Sequence, residues 1–165
     1  MDLDILRLLI FILPAYVANA SPVLLGGGVP MDFGKNFVDG KRILGQGKTW
    51  RGFIFGVLAG TAAGILLSLV FSWFSPLLGF LLSLGTLTGD MAGSFLKRRM
   101  GTERGKPSLV LDQLTFLFVA FAFAYPLWPK FLDIYGVVFL IALTYFMHVA
   151  SNVFAHRMGW KKVPW

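Results

Sequence analysis

The 165-residue chain has no cysteine. That excludes disulfides, thiolate metal sites and thiol catalysis, and leaves the compartment open. Charge is scarce as well: only 14% of residues are Asp, Glu, Lys or Arg, and 15 basic residues face 8 acidic ones. The 2 histidines have no companions that would complete a zinc ligand set. Low-complexity tracts and internal repeats are missing, and no stretch is polar enough to form a water-soluble domain of useful size. Function must therefore lie in apolar segments and the loops between them.

What the chain has is apolar bulk: 56% hydrophobic residues, with 17 Phe and 5 Trp. A helix of about 20 residues, rising about 1.5 Å per residue, crosses a hydrocarbon layer of about 30 Å. Five runs satisfy this, at residues 5–25, 53–74, 77–96, 109–127 and 134–154. They predict an all-α integral membrane protein forming a single membrane domain over residues 1–165. The first run follows acidic Asp2 and Asp4 and lacks a small-residue cleavage site, so it is expected to stay as a span. Most basic residues fall in segments 26–52 and 97–108 and in the tail at Arg157, Lys161 and Lys162. By the positive-inside rule these are cytoplasmic loops, with the N-terminus outside and the C-terminus in the cytoplasm. The one-sided charge suits topology, anionic headgroups or a polyanionic substrate. No nucleic-acid partner is expected.

The stretch "GKRILGQGKT", residues 40–49, imitates a P-loop, but the required glycine position holds Arg42 and no strand precedes it. If it binds phosphate, it does so by another route. Within the spans, polar groups are costly and need a partner or a use. Asp90 sits about 10 Å below the cytoplasmic edge of the third span, and Asp112 about 6 Å into the fourth. Asp90, Ser94, Lys97 and Arg98 recur at helical spacing and form one stripe. A run of carboxylate, hydroxyl, ammonium and guanidinium suits a metal-bound polyphosphate. The plainer reading is a salt-bridged aspartate beside a topology anchor. His148 and Asn152, one turn apart on the fifth span, reach the same layer, although a lone helical histidine is commonly a packed structural residue. Asn19 and Ser21 follow Pro14 and would satisfy freed backbone groups. Gly56, Gly60 and Gly64 form a small-residue ridge serving either a homodimer face or an internal contact.

"GDMAGSFLKRRMGTERGKPSLVLDQL", residues 89–114, resembles the signature of membrane CTP-dependent cytidylyltransferases of the CDP-diacylglycerol synthase superfamily. "PVLLGGGVPMDFGKNFVDGKRILGQGKTWRG", residues 22–52, resembles the cytoplasmic loop of the archaeal CDP-archaeol synthase family, and "HVASNVFAHRMGWKKVPW" resembles its C-terminus. The resemblance covers essentially the whole chain. It implies transfer of CMP from CTP to 2,3-di-O-geranylgeranylglyceryl phosphate, with release of pyrophosphate, at a cytoplasm-facing site in a multi-pass cell-membrane enzyme. It further implies Asp90 and Asp112 as ligands of one or two Mg²⁺ ions, with Lys97 beside them in the catalytic set. Ser94, Lys97 and Arg98 would hold CTP phosphates, Lys48, Thr49 and Arg51 would close over them, and Asp39 and Arg42 would help recognise CTP or the lipid phosphate. Lys41, Asn36, His148 and Asn152 are assigned to the lipid phosphate or to support. The sequence departs from the larger relatives in having no second acid just beyond Asp112. Phosphatidic acid as the lipid substrate and a small ion or proton transporter subunit are the alternatives. The paired-aspartate signatures of CDP-alcohol phosphotransferases and prenyltransferases are absent.

Overall fold

The computed structural model describes residues 4–102 and 111–159, with the side chains of residues 111–113 and 155 left aside. Among the described residues there are five α-helices: α1 (Ile5–Leu25), α2 (Trp50–Val70), α3 (Pro76–Arg99), α4 (Leu111–Ala124) and α5 (Ile134–Arg157), with a 3-10 turn at Tyr125–Leu127 after α4. No strand forms among them, only isolated bridges pairing Pro30 with Thr49 and Asn36 with Arg42. Four helices start at a residue whose short side chain accepts an otherwise unpaired backbone N–H: Asp4, Thr49, Ser75 and Asp133. Pro76 then occupies the first turn of α3, where its missing N–H costs nothing.

Helices α1, α2 and α5 are long and apolar enough to cross a membrane. Helix α3 carries Asp90 and ends on Lys97, Arg98 and Arg99, while α4 is shorter at 14 residues. Leu58, Leu66 and Leu69 of α2 and Val138, Phe146 and Met147 of α5 stand exposed on the outer surface. Such an apolar surface suits hydrocarbon rather than water.

Helix α3 is central and packs on α1, α2 and α4. Glycine makes this possible. The buried stripe Gly52, Gly56, Gly60 and Gly64 of α2 faces inward, and a Cβ on Gly64 would lie 2.5 Å from the Gly79 Cα of α3. The opposite side of α3 approaches α4 as closely, since a Cβ on Gly89 would lie 2.7 Å from the Phe116 Cα. The glycine ridge is thus an internal contact, which resolves one of the two readings left open by its spacing. Leu8, Phe11, Ile12, Leu78, Leu82 and Leu117 fill the core between these contacts. At the end remote from the 26–49 loop, Trp73 meets Phe74 and Phe131 edge-on at 5.4 and 4.8 Å. Helix α5 joins through the 2.7 Å hydrogen bond between the Tyr16 and Thr144 hydroxyls.

Candidate active site

Residues 26–49 connect α1 to α2 without regular structure, and a single carboxylate organises them. Asp32 is fully buried and accepts Nε and Nη2 of Arg42 at 3.1 and 2.5 Å, and the amides of Leu44, Gly45 and Gly34 at 3.0, 2.8 and 3.1 Å. Burial would raise its pKa, but the Arg42 guanidinium and the three amides outweigh it and hold the carboxyl well below the usual carboxylate range. Asp32 is the residue that sequence reasoning missed. Its signal was the Asp-Phe-Gly triplet, in which an aspartate bonds the amide two residues on and the following glycine takes a positive φ, here 81°.

Two consequences can be measured. Asp32→Asn leaves Arg42 without its counter-charge, so amide exchange at Leu44 and Gly45 is expected to accelerate on the order of tenfold or more. Because the folded pKa lies below the unfolded value of about 3.9, the contribution of Asp32 is complete above that pH and is lost as pH falls toward the folded pKa. Loop protection, corrected for intrinsic exchange rates, should therefore hold at pH 6 and erode below about pH 4.

At its end the loop delivers Lys48 and Thr49 to the inner face of α3. The Lys48 ammonium pairs with Oδ2 of Asp90, each side chain about one-third exposed or less. Thr49 is the buried N-cap of α2, its hydroxyl accepting the Gly52 amide at 3.1 Å. Around this pair lies a cleft of about 300 Å³, including the part open to solvent, lined by Lys48, Thr49, Gly52, Leu87, Asp90 and Met91 among others. It joins an ammonium, a carboxylate and the N-terminal end of a helix, whose dipole favours an anion although the Trp50, Gly52 and Phe53 amides are already bonded to Val29 and Thr49. Gly52 keeps the wall open, because a Cβ there would meet the Thr49 Oγ at 3.1 Å and Pro22 at 3.3 Å.

The other expected site residues divide by position. Ser94, Lys97 and Arg98 continue up α3 from Asp90, all half-buried, and the Nε of Arg98 is buried with no hydrogen-bond partner among the described residues. Arg51 is exposed outside the cleft lining, its guanidinium 5.9 Å from the Phe55 ring on the outer side of α2. Arg42 and Asp39, expected on CTP or the lipid phosphate, are engaged by Asp32 and by Arg99, and the Lys41 Nζ donates to the Arg99 carbonyl at 3.2 Å. Asn36 is exposed and bridges to Arg42 through the backbone. His148 lies 5.6 Å from the Phe116 ring of α4, and Asn152 is half-buried one turn on. Asp112 begins the first turn of α4, but its side chain lies outside the described residues.

Among the described residues no three His, Asp or Glu side chains gather, so a metal here would take Asp90 as its described protein ligand. Mg²⁺ fits such a donor: it takes hard oxygens, and commonly one or two carboxylates, with substrate phosphates and waters completing its shell.

A profile described as CarS-like: CDP-archaeol synthase matches residues 1–165. The chain is 53% identical over 161 residues to the CDP-archaeol synthase of Pyrococcus horikoshii, covering 94% of each. It is 46% identical over 169 residues to that of Methanocaldococcus jannaschii, again covering 94% of each. A solved structure described as an intramembrane enzyme for archaeal membrane lipids biosynthesis matches with a TM-score of 0.81 at 42% identity, over 91% of this chain and 95% of that one.

Proposed function

The chain belongs to the CarS-like, CDP-archaeol synthase family, and we propose that it transfers the cytidylyl group of CTP to 2,3-di-O-geranylgeranylglyceryl phosphate. An oxygen of the lipid phosphate forms a bond to the α-phosphorus of CTP, the bond from that phosphorus to the bridging oxygen breaks, and pyrophosphate leaves with the electron pair. Two anions must meet for this, so the protein's task is to neutralise charge and hold the attack in line. The observation that carries the reading is the Lys48–Asp90 pair on the wall of the cleft.

On CTP arrival Lys48 exchanges Asp90 for a phosphate oxygen, and Asp90 becomes available to hold Mg²⁺, with Asp112 as second carboxylate. A bound Mg²⁺ supplies charge neutralisation for the triphosphate and the departing pyrophosphate. Thr49 and the N-terminal end of α2 lie beside the phosphates in this reading, where the helix dipole favours an anion, and Ser94, Lys97 and Arg98 offer donors along α3. Arg51, on the outer side of α2, is placed for a phosphate arriving from the bilayer rather than for CTP. The Arg42, Asp39 and Lys41 contacts give these residues the work of shaping the loop.

All five helices cross the cell membrane in this reading, as a single domain with the N-terminus outside and the C-terminus and cleft at the cytoplasm, where CTP is available. The one-sided distribution of lysine and arginine supports that orientation. The lipid enters sideways from the bilayer. An ion relay would need access from both ends, whereas the end remote from the loop is packed with Trp73, Phe74 and Phe131. That rival and a preference for phosphatidic acid gain no support from the relatives.

The test is pyrophosphate release by the purified protein in detergent with CTP and Mg²⁺, comparing the geranylgeranylated ether-lipid phosphate, phosphatidic acid and no lipid. The ether lipid should drive release at least about tenfold faster than either control, a difference of about 1.4 kcal/mol in transition-state binding. Equal rates with phosphatidic acid would refute the substrate assignment, and no lipid-dependent release would refute the reaction.

A further inference from the structure

Arg99 closes α3 within a run of three basic residues, Lys97, Arg98 and Arg99, that reads in sequence as a membrane-topology anchor. Its side chain does something more specific. The guanidinium lies against a pair of aromatic rings, 4.8 Å from the centroid of Phe37 in the loop and 5.0 Å from that of Phe95 one turn back on α3. The two rings meet edge-to-face at 5.4 Å. Its Nη1 pairs with the Asp39 carboxylate, while Nη2 donates to the carbonyls of Lys41 and Arg42 at 3.2 and 2.6 Å. The contact is reciprocal, because the Lys41 ammonium donates to the Arg99 carbonyl at 3.2 Å and so covers an end carbonyl of α3. Lysine could reproduce the charge, but not a planar fork that bonds the Asp39 carboxylate and two carbonyls at once beside the rings.

Among the described residues two ion pairs attach the loop to α3. The Lys48–Asp90 pair joins it inside the cleft, and the Arg99 grip joins it at the helix end. They have different fates. If Lys48 and Asp90 both turn to substrate, their mutual bond is lost during every turnover, and nothing in that pair then keeps the loop on the helix. The Arg99 contacts involve no cleft residue and can persist. We infer that Arg99 is a positioning residue for the nucleotide site, the fixed attachment that keeps Lys48 within reach of the Asp90 layer after their ion pair has been exchanged for CTP. This rests on the reading of the Lys48–Asp90 cleft as the CTP site.

The absence of cysteine makes a clean test possible. Val38, 92% exposed in the loop, and Leu77, 55% exposed near the start of α3, can each be replaced by cysteine and spin-labelled. Leu77 lies in the first turn of α3 and Val38 in the loop held against its other end, and the 24 residues of α3 span about 36 Å, a separation suited to pulsed electron–electron distance measurement. In the parent background the distance distribution should be narrow. Arg99→Ala should broaden it, and should raise the KM for CTP about tenfold while changing kcat less than about threefold. Arg99→Lys should fall between the two. If Arg99→Ala does not fold, Phe37→Leu removes one of the two rings beside the guanidinium and carries the same expectation. An unchanged distribution in the variant would overturn the inference and leave the site reading standing. A broadened distribution with unchanged KM would show that the loop does not serve CTP, and would overturn the site reading together with the role drawn from it.

Discussion

Replacing Asp90 by Asn is expected to reduce turnover on the order of a thousandfold, the scale seen when a group that stabilises transition-state charge is removed, while leaving the protein folded. The two halves of this expectation have separate causes. In the resting protein Asp90 answers only a partly exposed ammonium, with 27% of the Lys48 side chain and 33% of its own in contact with solvent. Such a pair contributes at most about 1 kcal/mol to stability. Asparagine keeps the shape and one acceptor oxygen, so thermal unfolding in detergent should move by no more than a few degrees. In the proposed reaction, however, the carboxylate charge would hold a hard cation against the triphosphate, and a neutral amide would be a poor substitute. If Asp90 served only to pair with Lys48, activity would follow stability and the two measurements would change little together.

Gly64→Leu is expected to have the opposite signature: loss of folded, monodisperse protein rather than loss of a chemical step. A Cβ at Gly64 would lie 2.5 Å from the Gly79 Cα and 3.4 Å from its carbonyl carbon. Those are backbone atoms of a neighbouring helix, so no side-chain rotation relieves the clash and α2 must move away from α3. Overpacking of this kind costs about 3 kcal/mol or more, a large part of the stability of a small domain. Leu66→Ala is the control, because Leu66 is 65% exposed on the same helix and points away from the bundle. It should leave the unfolding temperature nearly unchanged, and a comparable drop in both variants would contradict the packing account.

The helices were legible in the sequence to differing degrees, and each discrepancy has a local cause. Helix α1 runs from Ile5 to Leu25, the same bounds as the hydrophobic run. Helix α2 starts at Trp50 rather than 53, because Thr49 caps it three residues before the charge-free stretch begins. It stops at Val70 rather than 74, because Phe71–Phe74 form a turn whose aromatic side chains are apolar without being helical. Helices α3 and α5 outrun their apolar segments to Arg99 and Arg157, since basic residues in a last turn complement the helix dipole. Hydropathy locates the hydrocarbon layer, whereas caps and terminal charges set where a helix begins and ends.

The arrangement of the candidate site residues was legible where it follows helical periodicity and obscure where it depends on loop folding. The i, i+4, i+7, i+8 stripe from Asp90 to Arg98 needed only the pitch of α3. The arrival of Lys48 beside Asp90 crosses 42 residues of sequence, and the Arg99–Asp39 pair crosses 60. No spacing rule reaches that far. Arg42 shows what a loop read by residue type alone leaves out: the expectation placed its guanidinium toward CTP or the lipid phosphate, and its partner in the fold, a buried aspartate ten residues earlier, follows from no spacing rule.

In the proposed reaction this chain joins the α-phosphate of CTP to a lipid, using the cleft between Lys48 and Asp90. The most direct measurement supplies CTP labelled with ³²P at either the α or the γ position, together with the geranylgeranylated glycerol phosphate, and counts radioactivity in the extracted lipid. Label should enter the lipid from α-labelled CTP only, and it should fall on the order of a hundredfold or more in Lys48→Met and Asp90→Asn. Transfer from the γ position, or α-label in the lipid undiminished in both variants, would contradict the account.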